Sequence, residues 1–440
     1  MSLNFEKYYD ILKTAHLTKD SGKVTDVTGL LIKGYIPGVS VGSICEIQTA
    51  QSDRTILAEV VGFKDKQVLM MSLSDMRGIS MGSKITLTKS IATVKVSDEI
   101  LGRVVDGLAN PLDGLGDLES TKEVPLYSEV VNPLDREPIR KSLDVGVRAI
   151  NAAITVGRGQ RVAIMAGSGV GKSVLMGMMA KQTEADVNVI ALIGERGREV
   201  REFIENELGP EGMKKTVVVC VTSDQSPLLR MRGAYVATAI AEHFSHAGKN
   251  VLLVMDSVTR FAMALREIGL SIGEPPSTRG YTPSVFSTLP KLLERAGNFE
   301  NSGSITGFYT TLVESDDMND PIGDAVRSIV DGHIVLSRSL AHKGHYPAID
   351  ILQSASRVMK AVSSPEHNKN ANKLREILAI YKDAEDLINI GAYKAGANPK
   401  IDKAIKLIDP VNAFLKQSTE DHSSMEQCLR QLQSITLGMS

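Results

Sequence analysis

The sequence predicts an α/β fold, with a mostly parallel sheet covered by helices, a small all-β domain before it and a helical domain after it. Three observations predict it. Between residues 97 and 360, apolar strand-like runs alternate with helical stretches, the rhythm of βαβ units. Residues 24–96 carry short, evenly spaced Val/Ile/Leu-rich runs punctuated by Gly, Pro, Asp and Ser. Beyond Pro365 the strand-like runs stop and helical periodicity takes over. The expected segments are 1–23, 24–96, 97–360 and 361–440.

Residues 4–17 read as a short amphipathic helix, because Phe5, Tyr8, Tyr9, Leu12 and Ala15 recur at helical spacing. Such a face either packs on its own domain or docks a partner. In the all-β segment the expected strands are Gly29–Ile32, Ser43–Ile47, Thr55–Phe63, Gln67–Ser72 and Lys84–Thr88, which predict a small barrel or sandwich. In the α/β segment they are Arg161–Met165, Val187–Ile193, Thr216–Thr222, Asn250–Met255, Gly303–Leu312 and His333–Leu336. The clearest C-terminal helices are Asn372–Asn389 and Ile401–Gln417.

The strand Arg161–Met165 runs into Ala166-Gly-Ser-Gly-Val-Gly-Lys-Ser173, and a helical run follows from Val174. Strand, glycine-rich turn, Lys-Ser and helix together form a P-loop. Gly167, Ser168, Gly169, Val170 and Gly171 would let backbone N–H groups turn toward a triphosphate. Lys172 would reach its β- and γ-phosphates, Ser173 would ligate Mg²⁺, and the helix opening at Val174 would aim its positive end at the anion. Ala166 stands where the pattern usually has its first glycine, and its side chain is small enough to fit there.

Asn250-Val-Leu-Leu-Val-Met-Asp256 is an apolar strand ending in a carboxylate. That places Asp256 at the carboxyl edge of the sheet, where it could hold Mg²⁺ through water. Glu195 follows another apolar strand and would share that edge. There it could polarise a water for attack on the γ-phosphate, with Arg196 stabilising phosphate charge. Alternatively, both belong to a solvated helix start, and spacing alone leaves the two readings even. By the same reasoning Arg357 has no privileged role.

Bulk composition narrows the class. Of 440 residues, 42% are hydrophobic and 23% charged, as in ordinary globular proteins. A net charge of −2 offers no global basic field for nucleic acid. Cys45, Cys220 and Cys428 are far apart, which predicts neither a disulfide framework nor a clustered metal site. The N-terminal residues lack the apolar core of a signal peptide, and no apolar run approaches a bilayer span. A cytoplasmic protein is expected, with room for peripheral attachment to a membrane assembly.

Longer motifs carry a family resemblance. Gly194-Glu-Arg-Gly-Arg-Glu-Val-Arg-Glu-Phe-Ile-Glu205, Asp256-Ser-Val-Thr-Arg260 and Gly273-Glu-Pro-Pro-Ser-Thr-Arg-Gly-Tyr281 resemble the ATPases of flagellar and type III protein export. So do Gly303-Ser-Ile-Thr-Gly-Phe-Tyr-Thr310, Asp316-Asp-Met-Asn-Asp-Pro-Ile322 and Asp331-Gly-His-Ile-Val-Leu-Ser-Arg338. Those ATPases are relatives of the rotary ATP synthase subunits. The resemblance implies a β-barrel, a RecA-like core and a helical domain. It also implies a homohexamer that binds ATP with Mg²⁺ at its interfaces.

The resemblance implies roles as well. Glu195 matches the carboxylate that activates water. Arg196 and Arg260 match basic residues near the γ-phosphate. Tyr346 matches an aromatic that packs on adenine, and Arg357 falls on the arginine finger given to a neighbouring subunit. The implied partners are export substrates and chaperones, regulatory and stalk-like cytoplasmic proteins, and the membrane export gate, with a peripheral position at the cytoplasmic face of the inner membrane and no nucleic acid.

The stretch 391–400, Gly-Ala-Tyr-Lys-Ala-Gly-Ala-Asn-Pro-Lys, is not acidic, unlike the stalk-facing loop of the ATP synthase catalytic subunit. It favours the export branch. The wording of Gly307–Thr310 and Glu314–Ile322 favours the flagellum over the injectisome. The remaining alternatives are an ATP-synthase-type subunit and an RNA translocase. RNA-stimulated hydrolysis would be the mark of the latter.

Overall fold

The computed structural model describes residues 20–50, 54–313 and 320–437. The amphipathic stretch 4–17, and most of the 314–322 stretch used to favour the flagellum, lie outside the described residues. The chain forms two compact units. One holds the described residues up to Thr93 together with Ile268–Glu274, and the other holds the rest.

In the first unit, β1 (Ser21–Thr28), β2 (Leu31–Tyr35), β3 (Ile44–Gln48), β4 (Thr55–Lys64), β5 (Gln67–Ser72) and β6 (Lys84–Lys89) close into a barrel in the order β1-β2-β5-β4-β3-β6. A barrel, not a sandwich, is therefore what the short strands build. Its interior is filled by Val24, Ile32, Cys45, Ile47, Val60, Met70 and Ile85. The expected strand Gly29–Ile32 is corrected. Gly29 and Leu30 form the turn of the β1–β2 hairpin, and Gly29 has φ +58°, so pairing resumes only at Leu31.

The second unit starts within β7 (Thr93–Val96), which pairs with β9 (Lys122–Pro125) in a separate two-stranded sheet, and its large sheet includes the short β8 (Val104–Val105). Its sheet adds β10 (Arg161–Ala166), β11 (Val187–Glu195), β12 (Thr216–Thr222), β13 (Asn250–Asp256), β14 (Gly297–Asn298), β15 (Ser304–Leu312), β16 (Gly332–Leu336) and β17 (Ile349–Ser356). The strand order is β17-β16-β10-β15-β13-β11-β12-β8, with β14 beside β15. All neighbours are parallel except β16–β17 and β14–β15. The predicted mostly parallel sheet is thus observed, together with an antiparallel edge strand, β17, that the sequence reading did not include.

The strands are buried on both faces, as parallel sheets require. Ile164, Ile190, Leu252 and Phe308 pack against Leu175, Met176 and Met179 of the helix Lys172–Gln182. The helix Pro227–His246 covers the opposite face of β11, β12 and β13. The C-terminal helices Pro365–Asn389, Pro399–Leu415 and Met425–Leu437 add Leu374, Val411, Phe414 and Leu432 to the first of these cores. Parallel register brings the carboxyl ends of β10, β11 and β13 to one edge, with Leu192 opposite Asp256. That edge carries the chemistry.

Candidate nucleotide site

The glycine-rich turn joins β10 to the helix Lys172–Gln182. Gly169 has φ +75° and Gly171 φ +90°, a left-handed backbone that strains any side chain. Val170 is buried and anchors the turn from below. Gly171 is the helix N-cap and provides no side-chain acceptor. The first-turn N–H groups of an α-helix have no intrahelical partners, so this turn offers them to an anion. Ser168 and Ser173 are exposed, and Val174 is half-buried at the helix start.

Three charged side chains converge beside the turn. Lys172 Nζ contacts Asp256 Oδ1 directly and lies 3.8 Å from Glu195 Oε1. Asp256 is 3% exposed. Its Oδ1 also accepts a hydrogen bond of 2.7 Å from Thr310 Oγ1 on β15. A buried carboxylate with an ammonium and a hydroxyl has the partners its desolvation requires. Glu195 is less well compensated. Burial first, then the Asp256 charge, push its carboxyl up to about 7, against the opposing pull of Lys172. A carboxyl that exchanges its proton near neutrality suits a general base.

A backbone irregularity aims Glu195. The pairing of β11 with β12 shifts between Ile193 and Glu195, and Gly194 has φ +72°. A Cβ on Gly194 would fall 3.0 Å from Arg260 Cβ. Glycine here lets the strand turn its last residue while Arg260 packs across it. Arg260 Nε is buried without a hydrogen-bond partner. The aliphatic part of Arg260, through Cβ, Cγ and Cδ, packs against Gly194, the residue preceding Glu195.

The Tyr346 ring lies over the turn, so that a Cβ on Gly171 would come 3.4 Å from its Cε1. Tyr346 is 46% exposed, which leaves its ring room to stack on a flat ligand. Arg196 does not join Lys172. Its side chain is exposed and pairs with Glu199 at 3.3 Å. Arg357 lies just past the end of β17, whose Ser356 is opposite Gly332 at the start of β16. It therefore sits at the opposite edge of the sheet from its own P-loop.

Thr310 and Gly194 were missed as site residues. A glycine inside a strand pattern signals a bulge, and polar residues at the carboxyl end of a buried strand signal a ligand edge.

The ATP synthase alpha/beta family, nucleotide-binding domain, matches residues 146–356, and the beta-barrel domain of the same family matches 19–89. The T3SS EscN ATPase C-terminal domain matches 363–434. The chain is 52% identical over 428 residues to the Flagellum-specific ATP synthase of Bacillus subtilis, covering 97% of this chain and 98% of that protein. It is 48% identical over 427 residues to the Type 3 secretion system ATPase of Xanthomonas euvesicatoria, covering 97% and 96%. The structure of the assembled ATPase EscN from the enteropathogenic E. coli type III secretion system matches with a TM-score of 0.89 at 46% identity, over 94% of this chain and 99% of that one. A second EscN structure, in complex with its central stalk EscO, matches at 0.87 and 44% identity over 94% and 99%. This chain is therefore an ATPase that belongs to the ATP synthase alpha/beta family, in the branch of flagellum-specific and type 3 secretion ATPases.

Proposed function

We propose that this chain hydrolyses Mg·ATP as a homohexamer and that hydrolysis assists protein export by a bacterial flagellar type III apparatus. The observation that carries the chemistry is the convergence of Lys172, Asp256 and Glu195 beside the P-loop. Likeness to flagellum-specific ATP synthases carries the export setting.

In this reading Gly167–Val174 and Lys172 hold the phosphates, and Lys172 exchanges its Asp256 contact for phosphate oxygens. Glu195 accepts the proton of the attacking water. Arg260, beside Gly194, faces the γ-phosphate, with Arg196 swinging from Glu199 to assist it. Tyr346 stacks on adenine. Arg357, remote from its own P-loop, serves the neighbouring subunit.

Ser173 and Asp256 are hard oxygen donors that fit Mg²⁺, and phosphates and water would complete its shell. Bound there, the ion would neutralise charge developing on the phosphates.

We assign the ATPase to segment 97–360, the helical region to 361–440, and partner docking to the residues before the barrel, whose strands run from Ser21 to Lys89 rather than over the expected 24–96. The structure of EscN with its stalk EscO supports a stalk-like partner for this chain too. Substrates, chaperones and the export gate are further proposed partners, at the cytoplasmic face of the inner membrane. No described helix is long and apolar enough to cross a membrane. An injectisome role is the second reading, favoured by the likeness to the Xanthomonas secretion ATPase and to EscN.

Deleting the gene in its host separates these settings. Flagellar export predicts loss of the filament with membrane ATP synthesis intact. Normal filaments, with secretion of effector proteins lost, would establish the injectisome reading instead.

A further inference from the structure

The stretch Asp331-Gly-His333 leads into β16 and plays no part in the chemistry above. It nevertheless meets the segment carrying Arg357 at every residue. The Asp331 carbonyl accepts the Arg357 backbone N–H at 2.9 Å and the Gln160 side-chain amide at 2.9 Å. The same Gln160 Nε2 lies 3.2 Å from Ser356 Oγ, which donates to the Thr155 carbonyl at 2.8 Å. A Cβ on Gly332 would fall 2.6 Å from the Ala355 carbonyl oxygen and 3.1 Å from Ser356 Cα, so no side chain fits there. His333 Nε2 lies 2.9 Å from the Gln353 carbonyl.

These contacts matter because the β16–β17 ladder is interrupted. His333 pairs with Ala355, but Val335 pairs with Asp350. The extra residues of β17 form a bulge, held by Ser354 Oγ, which accepts from Val335 N at 2.9 Å. Beyond the bulge only a short piece of strand remains before Arg357. Regular pairing alone therefore does not fix that end. The Arg357 guanidinium adds one more tie, donating to the Arg327 carbonyl at 3.4 Å.

Burial, with the Arg327 and Arg357 charges nearby, keeps His333 below its ordinary imidazole range, against the pull of the Gln353 carbonyl. A neutral ring can carry its proton on Nε2 and donate to that carbonyl. The Asp331 carboxylate in turn is gripped by Arg161, whose Nε is 3.0 Å from Oδ2. Arg161 begins β10, the strand that ends at the P-loop.

We infer that Asp331, Gly332, His333 and Gln160 form a clamp that positions Arg357 for presentation to the neighbouring subunit's nucleotide. The inference rests on the reading of Arg357 as a finger acting in trans. The clamp residues are positioning residues, since none of them reaches the P-loop edge. They tie the finger a subunit gives away to the strand that carries its own P-loop.

The test uses full-length Asp331→Ala and His333→Phe proteins. Arg161 keeps Glu294 as an ion-pair partner in the first variant, so no buried cation is orphaned. The second keeps a ring but loses the N–H donor. Each should show an unchanged KM for ATP and a kcat lower by about 10-fold or more, the cost of a displaced group. Mixed rings with Lys172→Ala should recover turnover, because the clamp variant supplies the P-loop and its partner supplies a well-placed finger.

Unchanged kcat in the variants beside an inactive Arg357→Ala ring overturns the clamp and leaves the finger standing. A lowered kcat with no recovery in mixed rings also overturns it, since the defect then lies in the variant's own site. Wild-type turnover in Arg357→Ala removes the finger and the clamp together. If Asp331→Ala does not fold, His333→Phe decides by the same criteria.

Discussion

Lys172→Ala should lower ATP turnover by roughly 10²-fold or more in a protein that stays folded. Phosphoryl transfer depends mainly on positioning and charge stabilisation, and Lys172 brings the ammonium that meets both site carboxylates. The substitution leaves Asp256 buried without its cation. The cost to folding is contained for two reasons. Asp256 keeps the 2.7 Å hydrogen bond from Thr310. Glu195, already pushed up to about 7, relieves the repulsion by taking a proton. Steady-state hydrolysis and a thermal melt read the two effects separately. Near-normal turnover in a folded variant would remove Lys172 from phosphate binding.

Glu195→Gln should leave nucleotide binding in place while hydrolysis stalls, by about 10²-fold or more. The amide keeps the size of the carboxyl but cannot accept the proton of the attacking water. The same residue sets a pH dependence. The free protein's Glu195 is protonated below about 7 and ionised above it. Only the ionised form is a base, so kcat/KM should rise with pH through that region and level off above it. In Glu195→Gln the residual activity should lack this acid limb. Loss of binding with a normal chemical step for bound ATP would make Glu195 a binding residue. An acid limb that persists in the variant would belong to another group.

Much of this was legible in the sequence because it depends on local spacing. β12 and β5 have their predicted limits, since apolar runs bounded by polar residues mark buried strands clearly. The P-loop and the edge positions of Asp256 and Glu195 were legible for a related reason. Each lies at the end of such a run, and a parallel sheet gathers those ends along one edge. Spacing left the role of Glu195 open, however, and only the family resemblance implied it.

What the sequence hid depends on pairing. In β1, Ser-Gly-Lys-Val-Thr-Asp-Val-Thr, Val24 is the fully buried residue and a register shift falls after it, so its composition reads as loop. β17 contains a bulge that breaks the period-two pattern, and its pairing with β16 cannot be read from either strand alone. Thr310 matters only because β13 and β15 are neighbours, which sequence order does not reveal. Arg196 shows the reverse. Its position in the motif placed it beside Glu195, but its side chain turns outward to Glu199. Arg357 was unremarkable by spacing, and only its place across the sheet from its own P-loop gives the trans role a physical basis.

A nucleotide site completed by two subunits has a sharp test in mixed rings. Arg357→Ala keeps a whole P-loop but offers its neighbour no finger. Lys172→Ala has the opposite defect. Each homogeneous ring should hydrolyse ATP poorly, because every interface lacks one half. Mixing the two should create interfaces with Lys172 from one protein and Arg357 from the other, and turnover should return once native mass spectrometry shows mixed rings. Mixed rings that remain as inactive as their parents would rule out an Arg357 finger acting in trans.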